Sequence, residues 1–355
     1  MSIFTDPIIS GGSNGRAAAP NVRWVNINGR LRGARHPAEW RQHLALSGAL
    51  RRASTPDTVV HCGRPLPEGL PGLVGSLRLI GRRLPYVCWS HGEELTVALT
   101  SKEHRALATV VCRRAALMLT SSRFASSVVA SVGVPSDRIR VIHPGVDTSR
   151  FNTALEGSAI RARYAPGADC VLLTVGRLQR RKGHDTTIAA LGMLRKELPG
   201  LRYLIAGDGT ERPRLEALAA ERGVADLVTF LGPVSDQDLP AMYAACDVFV
   251  MASRQEGADV EGFGIVFLEA AAAGRPTIAG KTGGMGEAVA DGRTGILVKG
   301  DEVPELAKAI RQLASSRDLR IRMGEEGRRR VLADFEWSRA ARQVDEAQAE
   351  ILAGR

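Results

Sequence analysis

Apolar runs of strand length recur along this chain, each followed by a turn and then by a longer segment with helical periodicity. One series lies at 22–27, 58–62, 84–89, 116–120 and 140–143. A second lies at 170–175, 201–206, 227–231, 247–251, 276–279 and 295–298. Between the strands, spacings such as Val303, Leu306, Ala307, Ile310, Leu313 and Ala314 place one apolar stripe on a helix. Continuous, largely apolar strands alternating with helices imply a parallel sheet covered on both faces. The expected fold class is therefore α/β, doubly wound. With 355 residues and ~150 per domain, two such domains are expected. The boundary falls near 144–154, giving 1–150 and 151–335, and 336–355 reads as one more helix.

Charge separates the two parts. Residues 1–150 hold 20 Arg/Lys against 9 Asp/Glu, and residues 151–355 hold 28 against 29. The whole excess of +10 thus lies in the first part, although a compositional preference for Arg would load both alike. A basic half points to an anionic partner. Nucleic acid has no support beyond charge, because no binding motif is present and aromatic residues are only 5% of the chain. No apolar run reaches the ~20 residues of a membrane-spanning helix, and residues 1–12 lack a basic start followed by an apolar stretch. The expected location is cytoplasmic. The five cysteines form no C-x-x-C pair, which argues against structural zinc or a disulfide frame.

In doubly wound sheets ligands bind beyond the carboxyl ends of the strands, so the residues just after each strand are the candidates. After 170–175 comes Gly176-Arg177-Leu178-Gln179-Arg180-Arg181-Lys182-Gly183, with four cations in six positions before a helix. Fixed cations at a helix start suit a phosphate; a solvated basic turn is the alternative. After 201–206 comes Gly207-Asp208-Gly209, where glycine permits close approach of a ligand or simply a tight turn. After 247–251 the chain runs through Glu261-Gly262-Phe263-Gly264 to Glu269, the only ionisable group between Ile265 and Gly274. A lone carboxylate on an apolar helix needs donors, and sugar hydroxyls would serve; a cap at Glu261 and a helix-edge salt bridge at Glu269 are the alternatives. In the first part His91 follows the strand at 84–89, as a structural or a reacting imidazole. P-loop, complete G-x-G-x-x-G and G-x-S-x-G motifs are absent.

This ordered set, from Gly176-Arg177 and Lys182-Gly183 through Gly207-Asp208-Gly209 to the Glu261/Glu269 pair, resembles the donor half of retaining family 4 glycosyltransferases. With His143-Pro144-Gly145-Val146-Asp147 and Ser90-His91-Gly92-Glu93 it is similar to the bacterial branch containing phosphatidylinositol mannosyltransferases. The resemblance implies the GT-B architecture, two Rossmann-like domains facing a cleft, with the C-terminal helix crossing back to the first. It implies a metal-independent hexosyltransferase without a cofactor, moving a sugar from a nucleotide-sugar donor to a lipid, glycan or small-molecule acceptor. Arg177 and Lys182 would bind the diphosphate and Glu269 the ribose. Glu261 would meet the donor sugar near the N–H groups of Phe263 and Gly264. Gly207 and Gly209 would lie beside the donor, Phe230 and Leu231 would border the base, and His91 would stand near the reacting sugar and acceptor.

One departure is expected: residues 1–20 hold little apolar bulk, so the first strand reads as shortened or lost. That raises a rival, a sugar-nucleotide-binding partner protein with a degenerate acceptor domain. The expected acceptor side meets an anionic membrane at its inner face, through Arg78, Arg82 and Arg83 on an amphipathic helix at 70–84. A solvated Arg-rich face serving a soluble acceptor is the alternative.

Overall fold

A computed structural model describes residues 2–5, 23–26, 37–77 and 84–354. Contacts divide the chain into two units, Met1–His143 with Ala341–Arg355, and Pro144–Ala340.

The first unit holds a parallel sheet of β1 (Ser2–Thr5), β2 (Arg23–Asn26), β3 (Val60–Cys62), β4 (Tyr86–Ser90), β5 (Leu117–Thr120) and β6 (Ile139–Val141), in the order β2-β1-β3-β4-β5-β6. The first strand is thus short but not lost. Ser2–Thr5 pairs residue for residue with Arg23–Asn26, and Ser2 and Ile3 face Val60 and His61. Backbone pairing needs no apolar bulk, which is why side-chain reading undervalued it.

A second expectation also changes. The helix after β3 is Gly69–Ser76 and ends at Leu77, whose backbone is extended. Gly69, Leu70, Pro71, Gly72, Gly75 and Ser76 are buried, so this helix packs into the core rather than lying along an interface. Arg78, Arg82 and Arg83 fall outside the described residues, as do Gly11, Gly12, Ser13, Asn14 and Gly15.

The second unit holds β7 (Cys170–Val175), β8 (Leu201–Ala206), β9 (Val228–Gly232), β10 (Val248–Met251), β11 (Thr277–Gly280) and β12 (Gly295–Val298), in the order β12-β11-β10-β7-β8-β9. All recorded pairs are parallel. The strands are largely apolar because both faces are covered, with Arg202 on β8 among the exceptions. Leu172, Tyr203, Ile205, Val248, Val250 and Ile278 enter one core cluster. The alternate residues Val171, Leu173, Leu204, Phe249, Met251 and Ala279 enter the other, as the period of two demands. The chain runs one way from β7 through β8 to β9 and the other way through β10 to β12. The order therefore reverses between β7 and β10, whose carboxyl ends flank a crevice of the kind that binds ligands.

The C-terminal helix Trp337–Ala353 is tied to β6 by Arg140, which donates two hydrogen bonds to Glu350, at 2.7 and 3.1 Å. All five cysteines are buried and unpaired. Among the described residues no helix is long and apolar enough to cross a membrane.

Candidate functional site

The loops after β7 and β10 build the site in the second unit. The loop after β7 turns at Gly176, where the backbone touches the β8 loop: Gly176 N–H donates to Ala206 O at 2.9 Å and Leu178 N–H to Asp208 O at 3.0 Å. A Cβ on Gly207 would lie 2.0 Å from Gly176 O, so this contact requires glycine. The tight turn Arg180–Lys182 follows, then Gly183 at φ +71°, then the helix His184–Leu194. A Cβ on Gly183 would lie 2.0 Å from Ala252 O, in the loop after β10. Arg254 N–H in that loop donates to Arg181 O at 2.8 Å. The two loops are laced through their backbones.

Side chains continue the lacing. Arg181 is 4% exposed and donates to Glu261 Oε2, with its Nε 3.0 Å from Asp259. Lys182 Nζ donates to the same Glu261 oxygen. Burial raises the Glu261 carboxyl's pKa, but the charges and hydrogen bonds of Lys182 and Arg181 outweigh it and hold the group below its ordinary range. Further out, Arg254 grips Asp185 at 2.8 and 3.0 Å and Glu256 at 2.7 Å. Arg177 is exposed, and among the described residues its side chain has no ion pair or hydrogen bond.

Glu269 stands on the helix Ile265–Ala272, which starts after Gly264 at φ +84°. Its Oε2 accepts a hydrogen bond of 2.6 Å from the buried Tyr243 hydroxyl. Burial raises its pKa, and the Tyr243 bond and Arg150 offset only part of that rise. Two carboxylates eight positions apart are thus pushed in opposite directions, which is a feature of functional sites.

The structure therefore brings Lys182 and Glu261 together and places Arg177 on the same loop. Gly207 and Gly209 sit against that loop's backbone, where a Cβ on Gly209 would meet Leu178 O at 2.5 Å. Phe230 and Leu231 lie on β9, with the Arg212 guanidinium 5.7 Å from the Phe230 ring centroid. The Phe263 side chain is buried, 6.0 Å from the Phe335 ring. In the first unit His91 is exposed at the end of β4. Its turn is fixed by Glu94, which accepts from Ser90 Oγ at 2.7 Å and from the His91 N–H at 3.0 Å.

Sequence reading missed Arg181, Asp259 and Tyr243. A run of three cations does not reveal which one is buried, since the partner carboxylates lie about 80 positions away. Tyr243 sits inside an ordinary apolar helix, Leu239–Ala245, and carries no local signal. Among the described residues no three His, Cys, Asp or Glu side chains converge as a metal site.

Two α/β units with parallel sheets of these strand orders define the chain as a GT-B fold. The sucrose-phosphate synthase of Thermosynechococcus elongatus superposes with a TM-score of 0.79 at 24% identity, over 100% of this chain and 89% of that one. The profile described as "Glycosyltransferase Family 4" matches residues 8–150 and "Glycosyl transferases group 1" matches 159–330.

A protein of Mycolicibacterium smegmatis named GDP-mannose-dependent alpha-(1-6)-phosphatidylinositol monomannoside mannosyltransferase is 37% identical over 273 residues, 76% of this chain and 70% of that one. Its Mycobacterium tuberculosis namesake is 43% identical over 225 residues, 62% of this chain. The matched region spans 57% of the length of that M. tuberculosis relative. The chain belongs to glycosyltransferase family 4.

Proposed function

We propose that the chain is a retaining, metal-independent glycosyltransferase that moves a hexose from a nucleotide sugar to a lipid or glycan acceptor. The observation that carries this reading is the Lys182–Glu261 contact at the reversal between β7 and β10, with Glu269 one helix further on. The reaction has to stabilise a departing nucleoside diphosphate. Arg177 and Lys182 supply positive charge at that point, where donors aimed at developing charge contribute most. Glu269 accepts from the ribose hydroxyls and Glu261 from those of the sugar. The acceptor hydroxyl attacks on the face that the diphosphate leaves, and a donor phosphate oxygen takes its proton. This needs no carboxylate nucleophile. His91, exposed in the first unit, is the candidate for contact with the acceptor.

The names of the relatives make GDP-mannose the first donor to test and a phosphatidylinositol mannoside the first acceptor. The rival reading, a partner protein with a degenerate acceptor domain, drew on a lost first strand. Ser2–Thr5 pairs in the sheet, so no observation favours that rival. The test is incubation of purified protein with UDP-, GDP- and ADP-sugars, following release of the nucleoside diphosphate with and without lipid extract. Acceptor-dependent release with retained anomeric configuration is expected. Tight donor binding with no release would revive the partner-protein reading.

A further inference from the structure

Two cations meet one oxygen of Glu261, and they are not equivalent. Arg181 is held on three sides. Its guanidinium reaches Glu261 and Asp259, and its carbonyl accepts from the Arg254 N–H at 2.8 Å. It is 4% exposed, so it cannot swing toward a ligand without breaking a buried pair. Lys182 has a compact ammonium on a flexible stem, without the planar fork that ties Arg181 to two carboxylates. It also overhangs the turn that begins the phosphate loop: a Cβ on Gly176 would lie 3.8 Å from Lys182 Cε and 4.0 Å from Nζ. Side-chain rotation alone can carry Nζ from Glu261 toward an anion at that turn, beside the exposed Arg177.

We propose that Arg181 is a positioning residue for donor binding: it keeps Glu261 compensated and oriented, so that Lys182 can leave the carboxylate for the donor's diphosphate. This rests on the donor-site reading above and adds a residue that touches neither the phosphates nor the sugar. Charge explains the need for it. Arg181 and Lys182 balance Asp259 and Glu261. If Arg181 were absent, Lys182 would be the sole cation facing Glu261 among the described residues, and any move toward a phosphate would strand a buried carboxylate. The carboxylate would then compete with the ligand for the one mobile cation.

The test is calorimetric titration of GDP and UDP, which carry the diphosphate and no sugar, into the full chain and its R181M, R181K, E261Q and R181M/E261Q variants. R181M is expected to weaken binding of the better ligand about tenfold, from loss of one charge-assisted contact to the carboxylate. R181K keeps the charge and loses the fork, and is expected to restore most of that loss. The deciding result is the double variant. With Glu261 neutral there is no competitor for Lys182, so R181M is expected to cost nothing further in the E261Q background. Where R181M does not fold, R181K carries the same test, with a loss of about threefold that E261Q abolishes. An equal loss from the Arg181 substitution in both backgrounds, or none in either, overturns the proposal while leaving the donor site standing. A wild-type chain that binds neither nucleotide overturns the donor-site reading and this proposal with it.

Discussion

Glu261 and Glu269 lie eight positions apart and respond to acid in opposite ways. Glu261 is depressed below its ordinary 4.5 because two cations outweigh its burial. A depressed carboxyl adds stability that is fully present above 4.5 and is lost as pH falls through the lower folded value. Glu261→Gln leaves Lys182 without its carboxylate and Arg181 with Asp259 alone, so at pH 7 it is expected to destabilise the protein by about 3 kcal/mol, and the gap is expected to close in acid. Glu269 is raised above 4.5 because burial outweighs its Tyr243 bond, so ionising it costs the folded state stability as pH rises through the folded value. Glu269→Gln is therefore expected to raise the ligand-free Tm by about 2–4 °C at neutral pH, an advantage that vanishes below pH 4.5. The same variant is expected to weaken nucleoside diphosphate binding. Melting curves of the two variants across pH 3–8 check both signs. A Glu269→Gln protein that melts lower than wild type at pH 7 would contradict the burial account. Both carboxylates were legible as candidates from their place after a strand. Their environments were not, because Arg181, itself shared with Asp259, and Tyr243 reach them through pairings that no local spacing records.

At the scale of elements, the site depends on how closely the strand-end loops approach one another. Gly183 adopts φ +71°, and its Cα faces Ala252 O so closely that a methyl group would sit 2.0 Å from it. Gly183→Ala has to push the loop after β10 away from the loop after β7, separating Arg181 from its carboxylates. A destabilisation of about 2–4 kcal/mol in urea melts is expected, from backbone strain and the clash together, along with loss of nucleotide binding. Wild-type stability in this variant would show that the two loops are not in contact. The strands themselves were readable. Residues 170–175, 201–206 and 295–298 form strands with those bounds, since apolar continuity marks a strand buried on both faces. Ser90 and Gly280 extend β4 and β11 beyond their apolar runs, because the ladder pairs backbone whatever the side chain. Ser2–Thr5 escaped for the same reason.

For the whole molecule, charge and site segregate. The basic excess lies in residues 1–150, while the loops we propose for the donor lie in the second unit. An anionic surface on the acceptor side remains our proposal, although the helix first expected to carry it is buried at Gly69–Ser76. Attraction of ~1 kcal/mol per basic residue near an anionic leaflet would bind the chain to vesicles. Binding is expected with anionic lipid at low salt and not with neutral lipid. It should fade as the Debye length shrinks from ~10 Å at 0.1 M to ~3 Å at 1 M. Failure to co-sediment with anionic vesicles at low salt would favour a soluble acceptor. The central claim, however, is that the β7–β10 reversal holds a nucleoside diphosphate on Arg177 and Lys182. The most direct measurement is donor turnover by wild type, Arg177→Ala and Lys182→Ala, with melting curves as a folding control. Each substitution is expected to cut turnover by ~100-fold or more. Arg177→Ala is expected to leave Tm nearly unchanged, whereas Lys182→Ala removes one of the two cations on the buried Glu261 and is expected to lower it. Near-normal turnover in both variants would contradict the account.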